Sequence, residues 1–356
     1  MKILFSGGGT LGPVTPLLAL KEMIVEEFSG AKFLWIGTVS GIEKELIEKE
    51  GIPFQTISSG KLRRYFSFLN FFDLFRFIFG FFESLIILHK QKPDLCVSAG
   101  GFVSVPVHYA AVCLGIPTWI HQQDIRVGLA NRLMSFVAEI ITVVNKEQQK
   151  NFSVHKTMIL GNPIRKELFF GDKNRAKKIF NISSNLPVVF AVGGGTGSVA
   201  LNNLVVQAVP ELEGVCEIIH VTGKDRPQEV AQKTAMHYAH YHPFSFFKSE
   251  MKDAYALADI VISRGGFGSL TELAALHKTA ILIPKPGHQE ENVNYVKNAG
   301  AVVALNEGDD NGFTLARVIK ELLNDKIQSN TFADNLSILL PPASKQKVSE
   351  IIKKVV

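Results

Sequence analysis

The sequence predicts an α/β protein made of two doubly wound parallel-sheet domains, and three observations carry that expectation. Short apolar or β-branched runs alternate with longer helical segments along the 356 residues, the alternation that buries a parallel sheet between helix layers. A strand, glycine loop and helix, "ILFSGGGTLGPVTPLLAL" at residues 3 to 20, returns about half a chain later as "VVFAVGGGTGSVALNNL" at 188 to 204. The length also exceeds a single core, at roughly 100–200 residues per domain.

In chain order, strands are expected over 2–6, 32–37, 94–98, 117–120 and 139–143, with helices such as "TPLLALKEMIVEEF" and "GIEKELIEKEG" between them. Gly161, Asn162 and Pro163 break regular structure. The joint is therefore expected within 160–169, dividing the chain into domains 1–162 and 163–340. A second series of strands follows in "PVVFAV", "CEIIHVTG", "ADIVISR" and "AILIPKP". The last segment, 341–356, holds a helix, "SKQKVSEIIKKVV", that could pack back on either half, the N-terminal domain being one candidate.

Apolar residues make up 46% and charged residues 20%, a globular balance that excludes disordered and fibrous classes. Cys96, Cys113 and Cys216 sit in apolar runs without metal-ligand spacing, so they read as reduced core residues of a cytosolic protein. Only "ILF" separates Lys2 from the glycine loop, too little for a secretory h-region. A net charge of +5 without a lysine/arginine stripe argues against nucleic acid and for anionic small molecules or an anionic membrane surface.

One segment stands apart. Residues 61–90, "KLRRYFSFLNFFDLFRFIFGFFESLIILHK", contain nine phenylalanines between Phe66 and Phe82. Asp73, Arg76 and Glu83 would each cost about 2.5–3.5 kcal/mol near a bilayer centre, which argues against a span. On a helical wheel Asn70, Asp73, Arg76, Gly80, Glu83 and Ser84 share one side, and Phe68, Phe71, Phe75, Phe79 and Phe82 the other. That aromatic arc is wider than docking on a sheet requires, so part of it is expected to enter a membrane interface, with Lys61, Arg63 and Arg64 beside lipid headgroups. Burial of every aromatic face by neighbouring elements is the alternative.

Gly7, Gly9 and Gly12 match G-x-G-x-x-G after a strand and before a helix, a phosphate-facing geometry. The next strand ends "WIGTVSG" without the carboxylate a dinucleotide's ribose needs, which excludes a dehydrogenase. The most informative segment is "SRGGFGSLTELAALHKTAILIPKPGHQEENVNY", residues 263–295. Gly265, Gly266 and Gly268 open a helix whose start carries Ser269, Thr271 and Glu272. Amides and hydroxyls there can meet a diphosphate while Glu272 accepts from a ribose. Ser269-x-x-Glu272 also reads as a capping box that merely closes the helix. His288, Gln289, Glu290 and Asn292 follow an apolar strand, where a sugar joined to that diphosphate would lie.

With these motifs in hand, the chain resembles the GT-B nucleotide-sugar glycosyltransferases, and closely the membrane-associated N-acetylglucosaminyltransferases that convert lipid I to lipid II in peptidoglycan synthesis. The resemblance runs nearly end to end through "GGTLGPVTPLLAL", "SAGGFVSVP", "HQQDIRVGLANR", "LGNPIR", "VGGGTGSVALN", "RGGFGSLTELAAL" and "HQEENV". It implies two Rossmann-like domains facing a central cleft. UDP-N-acetylglucosamine would bind the C-terminal half, with Glu272 on the ribose and Arg165, Gly194, Gly195, Thr196, Gly197, Gly265, Gly266, Phe267, Gly268 and Ser269 at the diphosphate. His288 and Gln289 would meet the sugar, Phe247 and Met251 would lie near the uracil, and Thr10, Gly12 and Asp124 would reach the donor from the N-terminal half. Gly8, Gly9, Thr10, Gly100, Gly101, Ser104 and Gln123 would take the lipid acceptor and its pyrophosphate.

The resemblance further implies an inverting displacement without metal or cofactor, on the cytoplasmic face of the plasma membrane, beside other cell-wall synthesis proteins. This sequence departs from the family pattern at three positions. Pro13 stands where the first loop usually ends in histidine, and "HEQN" reads "HQQD", with Gln122 for glutamate and Asp124 for asparagine. Asp124 is therefore expected as the base, with His121 second, against a reading in which Asp124 only caps a turn. Transfer to another lipid such as diacylglycerol, a UDP-sugar-binding protein without catalysis and a nucleotide-sugar epimerase remain open on sequence alone.

Overall fold

A computed structural model describes residues 1–41, 43–60, 69–195, 197–247 and 249–356, and among 69–74 the side chain of Asp73 only. Two compact units divide the chain: unit 1 is Met1–Arg165 with Pro342–Val356, and unit 2 is Lys166–Pro341. Pro163 to Arg165 thus stay with unit 1, and the division falls three residues beyond the expected one.

Unit 1 holds strands β1 (Lys2–Ser6), β2 (Lys32–Gly37), β3 (Phe54–Thr56), β4 (Leu95–Ser98), β5 (Thr118–Gln122), β6 (Ile140–Val143) and β7 (Thr157–Ile159). They form one parallel sheet in the order β3-β2-β1-β4-β5-β6-β7. Unit 2 repeats the plan with β8 (Val188–Val192), β9 (Glu217–Val221), β10 (Tyr241–Phe244), β11 (Ile260–Ser263), β12 (Thr279–Leu282) and β13 (Val303–Ala304), ordered β10-β9-β8-β11-β12-β13. The central strands are apolar throughout because helices cover both faces, and β4, β8 and β11 have no exposed residue. Edge strands β3, β7, β10 and β13 escape the sequence reading: they are two to four residues long and partly exposed.

The final helix, Lys345–Val355, lays Val348, Ile351 and Ile352 into the same core as Leu17, Leu20 and Ile24 of the first helix, Thr15–Glu27. Ser349 donates to Glu27 at 3.2 Å, Lys345 pairs with Glu26, and the Ala343 N–H meets the Asn162 carbonyl at 2.9 Å. Cys96 and Cys216 are core residues, but Cys113 is exposed at the end of the helix Ser104–Cys113, so it departs from the expected burial.

The aromatic segment forms a 23-residue helix, Leu69–Gln91, and its orientation is inverted relative to a surface helix. Asp73, Gly80, Ser84 and Leu88 are buried, while Phe75, Ile78, Phe79, Phe82 and Ile86 are exposed, Phe79 at 62% and Ile86 at 70%. Polar groups face inward because partners await them there: Glu83 accepts from the Ser58 N–H at 2.5 Å and from its hydroxyl at 3.2 Å, and Ser84 donates to the Gly80 carbonyl at 2.6 Å. A Cβ on Gly80 would collide with the Ser58 carbonyl. Lys61, Arg63, Arg64 and Phe68 lie outside the described residues, as does the side chain of Phe71. Among the described residues no helix is long and apolar enough to cross a membrane.

Gly80→Ala tests this packing. Alanine is about 1 kcal/mol the better helix former, yet overpacking against main chain costs about 1–3 kcal/mol. Urea unfolding is expected to show a net loss of stability, and a gain would contradict the close approach at Ser58.

Candidate active site

In each sheet the order reverses once, between β1 and β4 and between β8 and β11. Ligands of open α/β sheets bind at the carboxyl ends of strands at such points. Four glycine segments singled out in the sequence start there: Gly7 after β1, Gly100 after β4, Gly193 after β8 and Gly265 after β11.

In unit 1 the loop Gly7–Gly12 is anchored at its base and exposed at its apex, residues 9, 10 and 12. Gly7 donates to the Ile36 carbonyl at 3.3 Å and accepts from the Trp35 indole at 2.9 Å. Gly9, Gly100 and Gly101 take φ of 81°, 105° and 91°, which a side chain would strain. Pro13 packs beside Gly7 and Gly101, with its Cβ 3.4 Å from where a Cβ on Gly7 would sit. A cavity of about 560 Å³ opens between Gly8–Gly9, turns 38–41 and 58–60, and Arg76 of the aromatic helix.

Two expected acceptor contacts are corrected. Ser104 is fully buried, and its hydroxyl lies 2.8 Å from the Ser6 carbonyl and 3.0 Å from that of Gly100, so it braces main chain. Gly8 is also buried, and its missing side chain makes room for the carboxylate of Glu43, a residue the sequence reading passed over. The signal was present in "GTVSGIE", where two glycines bracket the turn before the acid.

The "HQQD" segment shows what each residue does locally. His121 is 2% exposed, with Nε2 2.9 Å from Asn162 Oδ1 and Nδ1 2.9 Å from the Thr142 hydroxyl. Asn162 Oδ1 is an acceptor, so Nε2 carries the proton and Nδ1 accepts from Thr142. Trp119 Nε1 donates to the same hydroxyl at 2.8 Å, and buried Gln123 donates to Asn162 Oδ1 at 3.2 Å. Both ring nitrogens are thus engaged, which corrects His121 as second candidate base and Gln123 as an open acceptor contact. Gln122 is buried, donates to the Asp124 carbonyl at 2.6 Å and the Arg126 carbonyl at 3.3 Å, and accepts from Asn131 at 2.7 Å. A carboxylate there could not donate. Gln148 also donates to the Asp124 carbonyl, at 3.0 Å, and the Asp124 side chain is half-buried.

In unit 2 the helix Phe267–Ala275 takes Gly266 as its N-cap, in extended conformation. Ser269 is therefore its third residue, so the capping-box alternative does not form and the first-turn amides of Phe267, Gly268 and Ser269 have no partner within the helix. They carry the positive end of the helix dipole. Gly265 lies so close to the helix His288–Asn298 that a Cβ would strike Val293 and crowd the Gln289 carbonyl. Asn292, fully buried, donates to the Gly265 carbonyl at 3.2 Å. Gln289 accepts from the Lys285 N–H at 3.0 Å, and its Nε2 stands 3.9 Å from a Cβ position on Gly266. The structure thus brings Gly265, Gly266, Gly268, Ser269 and Gln289 together, with His288 exposed at its helix start. Glu272 follows on the first of these helices and accepts from the Tyr255 hydroxyl at 3.3 Å.

Several expected donor residues are differently placed. The Phe247 ring is 6% exposed and packs on Phe180 and Phe190 at centroid distances of 5.2 and 6.0 Å, so only its main chain can meet a base. Phe267 is 2% exposed and contributes its amide alone. Thr271 bonds back to the Gly268 carbonyl at 2.8 Å. Gly197, with φ of 69°, is pressed against the main chain of Thr222 and Gly223, whereas Gly194 and Gly195 form the accessible tip. Thr196 lies outside the described residues. Met251, half-buried, begins the helix Met251–Leu257. Thr10, Gly12, Asp124 and Arg165 belong to unit 1.

Burial pushes the His121 imidazole down from 6.5 to about 4. The folded state then binds fewer protons than the unfolded state, so this histidine's contribution to stability falls away as pH drops from 6.5 toward about 4. Proton NMR is expected to show His121 neutral down to about pH 5, and an imidazole titrating near 6.5 would contradict the buried assignment.

Residues 3–143 match the glycosyltransferase family 28 N-terminal domain, and residues 188–355 the family's C-terminal domain. A protein of Lachnospira eligens, named UDP-N-acetylglucosamine--N-acetylmuramyl-(pentapeptide) pyrophosphoryl-undecaprenol N-acetylglucosamine transferase, is 39% identical over 92% of both chains. A Clostridium kluyveri protein of the same name is 37% identical over 99% of both. The crystal structure of Acinetobacter baumannii MurG has the same fold, with a TM-score of 0.77, 23% identity and 99% of each chain covered. A UDP-GlcNAc 2-epimerase of Neisseria meningitidis, bound to UDP-GlcNAc, shares the fold at a TM-score of 0.70 and 14% identity, over 99% of this chain and all of its own. Two parallel Rossmann-like units, both family 28 domains and relatives aligned over nearly the whole length lead to one conclusion: the chain belongs to glycosyltransferase family 28, and within it to the pyrophosphoryl-undecaprenol N-acetylglucosamine transferases.

Proposed function

We propose that this chain transfers N-acetylglucosamine from UDP-N-acetylglucosamine to the muramyl 4-hydroxyl of lipid I, forming lipid II with inversion at the anomeric carbon. The reading is supported by the end of β11, where the first-turn amides of Phe267, Gly268 and Ser269 have no partner within their helix and Gln289 stands beside Gly266, with Glu272 further along the same helix as the acceptor for a ribose. The muramyl oxygen forms its bond to the anomeric carbon as the bond to the diphosphate oxygen breaks and its electrons pass to UDP. Positive helix-end amides stabilise the charge gathering on the leaving diphosphate, and Arg165 adds a cation.

Asp124 takes the hydroxyl proton in this reading. Its loop is fixed by Gln122 and Gln148, which both donate to the Asp124 main-chain carbonyl. The acceptor pyrophosphate lies at the exposed part of the first unit 1 loop, Gly9 to Gly12, and at Gly100–Gly101, beside the cavity that reaches Arg76. The same helix carries Phe75, Ile78, Phe79, Phe82 and Ile86 in the open. Burying one such side chain gains about 1.5–3 kcal/mol, and an interfacial membrane site on the cytoplasmic face would supply that burial where an undecaprenyl acceptor resides.

Labelled sugar is expected to pass from UDP-N-acetylglucosamine to a short-chain lipid I analogue and not to diacylglycerol, and Asp124→Asn is expected to lower kcat by about 10²-fold or more while UDP binding persists. Full turnover by Asp124→Asn would remove the base assignment, and transfer to diacylglycerol alone would overturn the acceptor.

Phe75, Phe79 and Phe82 changed together to serine should leave the melting temperature nearly unchanged, since all are exposed, while sedimentation with anionic vesicles is lost. Retained sedimentation would contradict the interfacial helix.

A further inference from the structure

We propose that Glu43 is a positioning residue for the acceptor, a carboxylate built into the first glycine loop that fixes the wall against which the acceptor binds; this rests on the acceptor site proposed above. Glu43 is fully buried at the start of the short helix Glu43–Lys49. Its Oε2 accepts from the Gly9 N–H at 3.1 Å, and its Oε1 accepts from the Thr38 N–H at 2.8 Å and the Thr38 hydroxyl at 2.5 Å. A Cβ on Gly8 or Gly41 would collide with this carboxylate, and one on Gly37 would stand 3.2 Å from Oε1. Glycines before and after β2 are thus shaped around one acid.

A phosphate oxygen bound to this loop would use the same kind of main-chain donor. Here a protein carboxylate uses the Gly9 donor instead, so the acceptor's phosphates meet the exposed part of the loop beyond it. The main-chain bonds of Gly7 hold the loop's base, and those of Val14 and Thr15 to the Leu11 carbonyl hold its exit. Glu43 holds Gly9 between them, at a φ of 81°. Gly8, Gly9, Thr38 and Gly41 all line the cavity, so a ligand there meets a surface whose position Glu43 sets.

Glu43→Gln keeps the shape but puts an amide NH₂ against one of the N–H donors. Glu43→Asp keeps the charge but withdraws it by one carbon. Steady-state kinetics with UDP-N-acetylglucosamine and a short-chain lipid I analogue, together with hydrogen exchange of the substrate-free protein, test the role. Both variants are expected to raise KM for the acceptor about tenfold or more and leave KM for the donor within about twofold, while amides of residues 9–12 exchange faster. An unchanged or lowered acceptor KM would overturn the proposal, the lowered value meaning that the carboxylate competes with the acceptor's charge. Equal rises for both substrates would also overturn it, since general destabilisation does not choose between them. No transfer by the unaltered chain would fail the proposed reaction and this role with it, whereas unchanged exchange in the variants would refute the loop brace alone.

Discussion

Two adjacent parallel strands at the reversal of a doubly wound sheet send their following chains to opposite faces, so the carboxyl ends of those strands are left uncovered. The rest of the structure depends on this constraint. At β1 and β4, and again at β8 and β11, the opening receives main chain without side chains, and main-chain N–H groups become the local chemistry. Side chains then divide into those that aim this main chain and those that reach beyond it.

The aiming group is the larger. Trp35, Glu43 and Ser104 hold the first loop and its neighbour, Gln122 and Gln148 hold the turn at Asp124, and Asn292 holds Gly265. Most are buried and most bond to main-chain atoms. A pre-set array of donors needs no reorganisation as charge develops, which is where electrostatic catalysis gains most. In unit 2 the first-turn amides of Phe267–Ala275 are left for a ligand, while in unit 1 the Gly9 amide is already taken by Glu43. Similar loops therefore act differently.

Much of the fold was legible because its signals are local and redundant. Central strands are continuous apolar runs, glycine loops repeat, and the polar side of the aromatic helix stands out on a wheel. Edge strands lack an apolar run, so β3 and β13 carry no comparable signal. The site was legible as a set of segments but less so as a set of side chains. His121 and Ser104 have the chemistry of reactive groups, yet partners distant in sequence, Asn162 and Ser6, turn them inward. Phe247 looked available until Phe180 and Phe190 enclosed its ring. Ser269 and Glu272 had capping-box spacing, but the helix begins three residues earlier than that motif requires. Glu43 was hidden because its significance lies in a contact with Gly9, 34 positions away.

Hydrogen-exchange footprinting with each substrate alone tests most directly the claim that the two switch points serve different ligands. UDP-N-acetylglucosamine should protect the amides of residues 265–272 and leave 7–12 unchanged, and a short-chain lipid I analogue should protect 7–12 and 100–104 and leave 265–272 unchanged. Protection of the unit 1 loops by the donor, or of the unit 2 helix start by the acceptor, would contradict the assignment of one pyrophosphate to each sheet.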